Sequence, residues 1–238
     1  GITTPGGFGN RVLPELAQAT LEACRAVYQA EIPHYFRHLF TDDRSVAPRV
    51  EYASGLESAD PRCVVSIIGC TGDWFGGWDG LEPGDPNQCI TEDGRGGRLP
   101  EVIRRGEPAI LVCHWPGIYY NGQETGFKVF QRVVERLHAT HDHLVWMKLS
   151  EIARYWAARE LTRISARPGT VDFKAPFACP AFTVRWDMAS EPPPSLVHEG
   201  QQQRLRQIFD PLRLEPGTWT REGETRVACF DLPKGVSR

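Results

Sequence analysis

CVVSIIGCTGDWFGGWDG, residues 63–80, changes character halfway along. Its first part, Cys63 to Ile68, is apolar and β-branched apart from Ser66. Such a run predicts a short strand covered on both faces, as in a parallel sheet. Its second part sets Asp73, Trp74, Trp78 and Asp79 among glycines, which predicts a loop rich in polar and aromatic groups. Two further runs repeat the pattern. AILVC (109–113) predicts a second buried strand leading into His114 and Trp115, and LVWMK (144–148) predicts a third. Helical periodicity fills the intervals. RLPEVIRRG (98–106) predicts a short helix stopped by Gly106. In FKVFQRVVERLHATH (127–141), Phe127, Phe130, Val133, Val134 and Leu137 fall on one face. Ser150 is placed to cap EIARYWAAREL, and RVLPELAQATLEACRAVY (11–28) predicts an earlier helix. Strands alternating with helices at this spacing predict an α/β body built of βα units.

The pattern changes near residue 168. TVDFKAPF and FTVRW alternate apolar and polar residues with period two, and TRVACFDL predicts a later strand. Residues 169–238 are therefore expected to form a small antiparallel β module, with the proline-rich EPPPS (191–195) between its pieces. A body of this size is short for a closed (β/α) barrel, which typically needs ~250 residues. The expected architecture is an incomplete (β/α) barrel over residues 1–168 followed by the β module. The chain begins with Gly rather than Met, and together with the missing units this predicts the C-terminal part of a longer protein.

Bulk properties narrow the class. The 238 residues are 41% hydrophobic and 24% charged with a formal charge of −3, a globular composition without the basic surface that nucleic acid requires. No apolar run reaches the ~20 residues of a membrane span, and GITTPGGFGN is not a signal peptide. The seven cysteines match no zinc or redox spacing, and several lie in apolar runs. They read as buried apolar residues of a reducing compartment, so a cytoplasmic location is expected.

In parallel α/β folds, functional groups gather where strands end. That rule selects Asp73, Trp74, Trp78 and Asp79 after the first strand. It selects His114, Trp115, Tyr119, Tyr120, Asn121 and Glu124 after the second, and Trp146 and Lys148 at the third. Aromatic rings beside hydrogen-bonding groups suit a sugar, whose flat face stacks while its hydroxyls find partners. HYFRH offers His34 and His38 as zinc ligands if helical, and a poor pair if extended.

The order TTPGGFG, DWF with WD, ILVCHWPG and VWMKLSEIARYW resembles the later motifs of the polysaccharide deacetylase family, metal-dependent carbohydrate esterases. The resemblance covers roughly residues 1–165. It implies that Pro5 to Gly9, with Phe8, help form the site wall and oxyanion hole. It implies that Asp73 and Trp74 form the next motif, and that His114 is the general acid to the leaving group. Asp73 or Asp79 would hold the His114 ring. It also implies a divalent metal such as zinc, whose Asp and His-x3-His ligands would lie before residue 1. Thr3 and Thr4 stand where the family carries an arginine, and Trp115 follows His114 where it carries an aspartate. The expected activity is removal of acyl groups from a carbohydrate or a related amide. Two other readings use the same residues: a carbohydrate-binding protein without catalysis, and a glycosidase pairing Asp73 with Glu124.

Overall fold

The computed structural model describes residues 1–4, 13–38, 45–119, 122–187 and 193–238. It divides into two compact units. Unit 1 comprises Gly1–Glu51 and Val64–Leu149, and unit 2 comprises Tyr52–Cys63 and Ser150–Arg238.

The chain opens with β1 (Ile2–Thr3), helix α1 (Leu13–Tyr28), β2 (His34–His38), β3 (Arg49–Ser54) and β4 (Arg62–Ile68). They form a four-stranded sheet in the order β1-β2-β4-β3, with β1, β2 and β4 parallel. Six consecutive residues of β4, Cys63 to Ile68, are buried, as a strand covered on both faces requires. Helix α1 buries Ala17, Thr20, Leu21 and Cys24, which recur every three or four residues, whereas Val27 is exposed. HYFRH is β2, so His34 and His38 are not neighbours on a helix face. Four residues apart on a strand, they are separated by roughly 13 Å.

Four helices complete the described part of unit 1: α2 (Pro86–Cys89), α3 (Arg98–Arg104), α4 (Trp115–Tyr119) and α5 (Thr125–Thr140). Helix α3 ends where Gly106 takes a positive φ of 64° and its N–H reaches the Ile103 carbonyl. Helix α5 buries Gly126, Val129, Val133 and Leu137. Its inner face is thus turned from the expected one, with Gly126 and Val129 beside Val133 and Leu137. The core of unit 1 joins these residues to Val46, Ile68, Cys70, Phe75, Cys89, Ile90, Leu99 and Val102.

Unit 2 takes up helix α6 (Leu149–Leu161) from Ser150 onward, and Ser150 lies inside this helix rather than capping it. Strands β5 (Arg163–Arg167), β6 (Thr170–Ala175), β7 (Cys179–Asp187), β8 (Ser195–His198), β9 (Gln201–Arg204), β10 (Arg206–Gln207), β11 (Thr218–Glu222), β12 (Thr225–Leu232) and β13 (Gly235–Ser237) follow. One sheet runs β5-β6-β13-β8-β9 and is antiparallel throughout. The other runs β10-β11-β12-β7, antiparallel except for β10 with β11. Phe173 of β6 meets Phe182 of β7 and Phe230 of β12 edge-on, at centroid separations of 6.5 and 5.5 Å. The two sheets of unit 2 therefore share one aromatic core.

The expected (β/α) barrel, complete or incomplete, is not the architecture. Three sheets and six helices give a mixed fold, and no sheet closes into a barrel among the described residues. Neither AILVC nor LVWMK is a strand. Residues 109–113 make one isolated parallel bridge, Val112 to Asp73, and Ala109 and Cys113 are exposed. Residues 144–148 lie outside every strand, with Val145, Trp146 and Met147 exposed. The physical reason is that a strand exists through its ladder. An apolar, β-branched run favours extended backbone, but pairing depends on where distant segments come to rest.

Candidate functional site

The loop after β4 builds one wall of the site. Cys70 N–H donates to the Ile110 carbonyl at 2.8 Å, which sets residues 109–114 alongside residues 70–73. Thr71 is fully buried, and its Oγ1 accepts from Val112 N–H at 3.3 Å. Two residues on, Asp73 Oδ2 accepts from the His114 backbone N–H at 3.0 Å and from His114 Nδ1 at 2.6 Å. One carboxylate oxygen thus holds both the backbone and the ring of His114.

An ionised carboxylate only accepts, so Nδ1 carries the proton and Nε2 is left for chemistry. The His114 side chain is 39% exposed and that of Asp73 is 13% exposed. The imidazole is anchored through Nδ1 and remains partly exposed. Asp73 Oδ1 is buried and has no hydrogen-bond partner among the described residues. The carboxylate therefore presents a second acceptor that a donor would satisfy.

His114 also starts α4, because its carbonyl accepts from Ile118 N–H at 3.3 Å. Close backbone contact seats that helix. A Cβ on Gly117 would collide with the carbonyls of Phe75 and Gly77, and one on Gly126 with those of Phe75 and Gly117. Gly76, at φ 103°, faces Gly117 in the same way. Only glycine permits backbones to approach this closely.

The other expected residues sort by position. Trp78 is 72% exposed, and its ring meets His114 edge-on at a centroid distance of 6.4 Å. Trp115 is 75% exposed and lies 4.7 Å from Tyr119, which in turn stacks on Phe127. Trp74 is half-buried against the core of unit 1. Asp79 is exposed, and its Oδ1 caps the Leu81 N–H at 3.0 Å, the role of a turn-former. Of the two aspartates weighed as partners for His114, Asp73 makes the contact. Glu124 is exposed at the N-cap of α5, with φ 55°. Trp146 is exposed beside the His138 ring. Phe8, Tyr120 and Asn121 lie outside the described residues.

Two contributors were missed in the sequence. Thr71 joins the two segments, and its signal was a hydroxyl three residues past the end of an apolar strand. Cys113 flanks His114, and although the residue is exposed, partial desolvation of its thiol and the Asp73 carboxylate push its pKa up. Among the described residues, no group of three or more His, Cys, Asp or Glu side chains could hold a metal ion. The resemblance places the ligands of the expected divalent metal before residue 1, so this observation does not bear on it, and no step below passes through one.

The chain matches no known family model, no curated protein and no solved structure. No helix among the described residues is long and apolar enough to cross a membrane.

Proposed function

We propose that the Asp73–His114 pair serves a hydrolase of the polysaccharide deacetylase type, which removes acyl groups from a carbohydrate or a related amide. The observation that carries this reading is the 2.6 Å contact between Asp73 Oδ2 and His114 Nδ1, on a ring that stays 39% exposed. Asp73 fixes the ring by accepting from Nδ1. The imidazolium then gives the Nε2 proton to the departing amine or alkoxide. Trp78 and Trp115 offer flat apolar surface to a sugar ring. His114 is the catalytic residue and Asp73 the positioning residue.

The test is acetate release from acetylated oligosaccharides. His114→Ala should lower turnover by about 10²–10⁴-fold, the usual worth of a general acid. Asp73→Asn should lower kcat and displace the pH profile while leaving KM close to its original value. Turnover untouched by His114→Ala would overturn the assignment.

The exposure of Trp78 and Trp115 favours one second reading, a carbohydrate-binding protein without catalysis. It expects saturable oligosaccharide binding and no acetate release. Trp115→Ala would then abolish binding and His114→Ala would leave it unchanged.

A further inference from the structure

The facing sheets of unit 2 do not fill their interior. Along the β7–β12 ladder, Phe182 pairs with Phe230, Val184 with Ala228, and Trp186 with Arg226. Alternate residues of a strand share a face, so these three pairs line one side of the sandwich in that order. The phenylalanines close the core at one end. At Ala228 the side-chain volume falls away, and a cavity of about 240 Å³ opens, walled also by Val171, Phe173 and Leu196.

The size and chemistry of this cavity select a ligand class. An apolar cavity of about 150 Å³ stays dry and admits benzene. Typical ligand pockets span roughly 300–1,000 Å³, so this cavity suits one ring or one short chain. The lining includes two arginines, Arg226 and Arg238, and no Asp or Glu side chain among the described residues. Both guanidinium groups are held in place. Arg226 lies over the Trp219 ring at 5.0 Å, and Arg238 Nε donates to Asp172 Oδ1 at 2.7 Å. Asp172 also pairs with Arg167, so Arg238 shares this carboxylate with a second guanidinium. A planar guanidinium held in place matches a carboxylate through parallel N–H donors.

We propose that this cavity binds a small carboxylate with an apolar body, a single-ring aromatic acid or a short-chain fatty acid. The body enters the space beside Ala228, and the carboxylate stays with Arg226 and Arg238. This site lies wholly within unit 2 and does not depend on the chemistry assigned to His114.

Calorimetric titration of the full chain with benzoate and hexanoate tests the proposal, with benzyl alcohol as the neutral comparison. Saturable binding of one carboxylate per chain is expected, with benzyl alcohol weaker by at least about tenfold, as expected for lost charge-assisted hydrogen bonds. Ala228→Leu fills the space and should abolish binding while the thermal melt and near-ultraviolet circular dichroism persist. Arg238→Gln, at the exposed edge, should weaken benzoate and leave benzyl alcohol unchanged. The proposal falls if benzoate does not saturate, if Ala228→Leu binds as the parent does, or if benzyl alcohol matches benzoate.

Discussion

The cores of the two units are closed by different means. In unit 1, mostly aliphatic side chains with Phe75 and the thiols of Cys70 and Cys89 fill the interior, and glycines 76, 117 and 126 let backbone meet backbone. In unit 2, Phe173, Phe182 and Phe230 meet edge-on between two sheets, and the space beyond them is left open. A core closed by backbone contact has no room for an added atom. A core closed by large rings tolerates additions at its open end but not the loss of a ring. The site residues sit where the first kind of packing is tightest, which keeps His114 and Asp73 in register.

The largest expected effect is in the aromatic core. Phe230→Ala should destabilise unit 2 by about 3–5 kcal/mol, the range for removing a buried ring. Denaturant unfolding followed by hydrogen exchange on β7 and β12 measures it, and a loss below about 1 kcal/mol would break the contrast.

Gly126→Ala reverses the sign usual for a helix. Alanine ordinarily favours a helix by about 1 kcal/mol over glycine, but here its Cβ meets the Phe75 and Gly117 carbonyls. A destabilisation of about 1–3 kcal/mol is expected from overpacking, read as lost exchange protection in α4 and α5. Gly106→Ala sharpens the point, since its Cβ would meet nothing within 4 Å. Only the strain of its positive φ, about 1–2 kcal/mol, remains there.

The smallest effect separates the charged contacts. In unit 1, the Glu107 carboxylate accepts from Val46 N–H at 2.9 Å, Ser45 Oγ at 2.7 Å and Arg105 Nε at 3.1 Å. Burial alone would raise its pKa, but these donors hold the carboxyl below the usual range. Because the folded value is depressed, this contribution is present above the unfolded value near 4.5 and is lost as pH falls through the folded one. Glu107→Gln should lower stability by about 1.5 kcal/mol at neutral pH and flatten the curve below pH 4.5. In unit 2, Arg206 and Glu215 pair at 2.7 Å with side chains 66% and 64% exposed. Arg206→Ala should change stability by less than about 0.5 kcal/mol. Equal losses at the two positions would remove the distinction.

Local chemistry was readable where it acts over a few residues. The run Cys63 to Ile68 is a buried strand because every side chain in it is apolar or small. Gly106 stops α3, the alternating residues 170–175 form β6, and the strand expected in residues 225–232 is β12. Residues 109–113 and 144–148 carry the same apolar, β-branched signal, yet neither joins a sheet. Without those two strands there is no barrel. Their composition states a preference for extended backbone and says nothing about a partner strand.

The site divides in the same way. The sequence by itself determined that Asp73, Asp79, His114 and several exposed-prone aromatics would stand in loops after apolar runs, because glycines and polar residues end such runs. Tertiary structure alone decided which aspartate holds His114. Asp73 and Asp79 are six positions apart in one glycine-rich loop, yet Asp79 turns its carboxylate to its own backbone at Leu81. Asp73 reaches His114, 41 residues away, because Thr71 and Cys70 dock the second segment beside the first. That choice depends on hydrogen bonds between segments distant in the chain, and no local pattern of residue types encodes it.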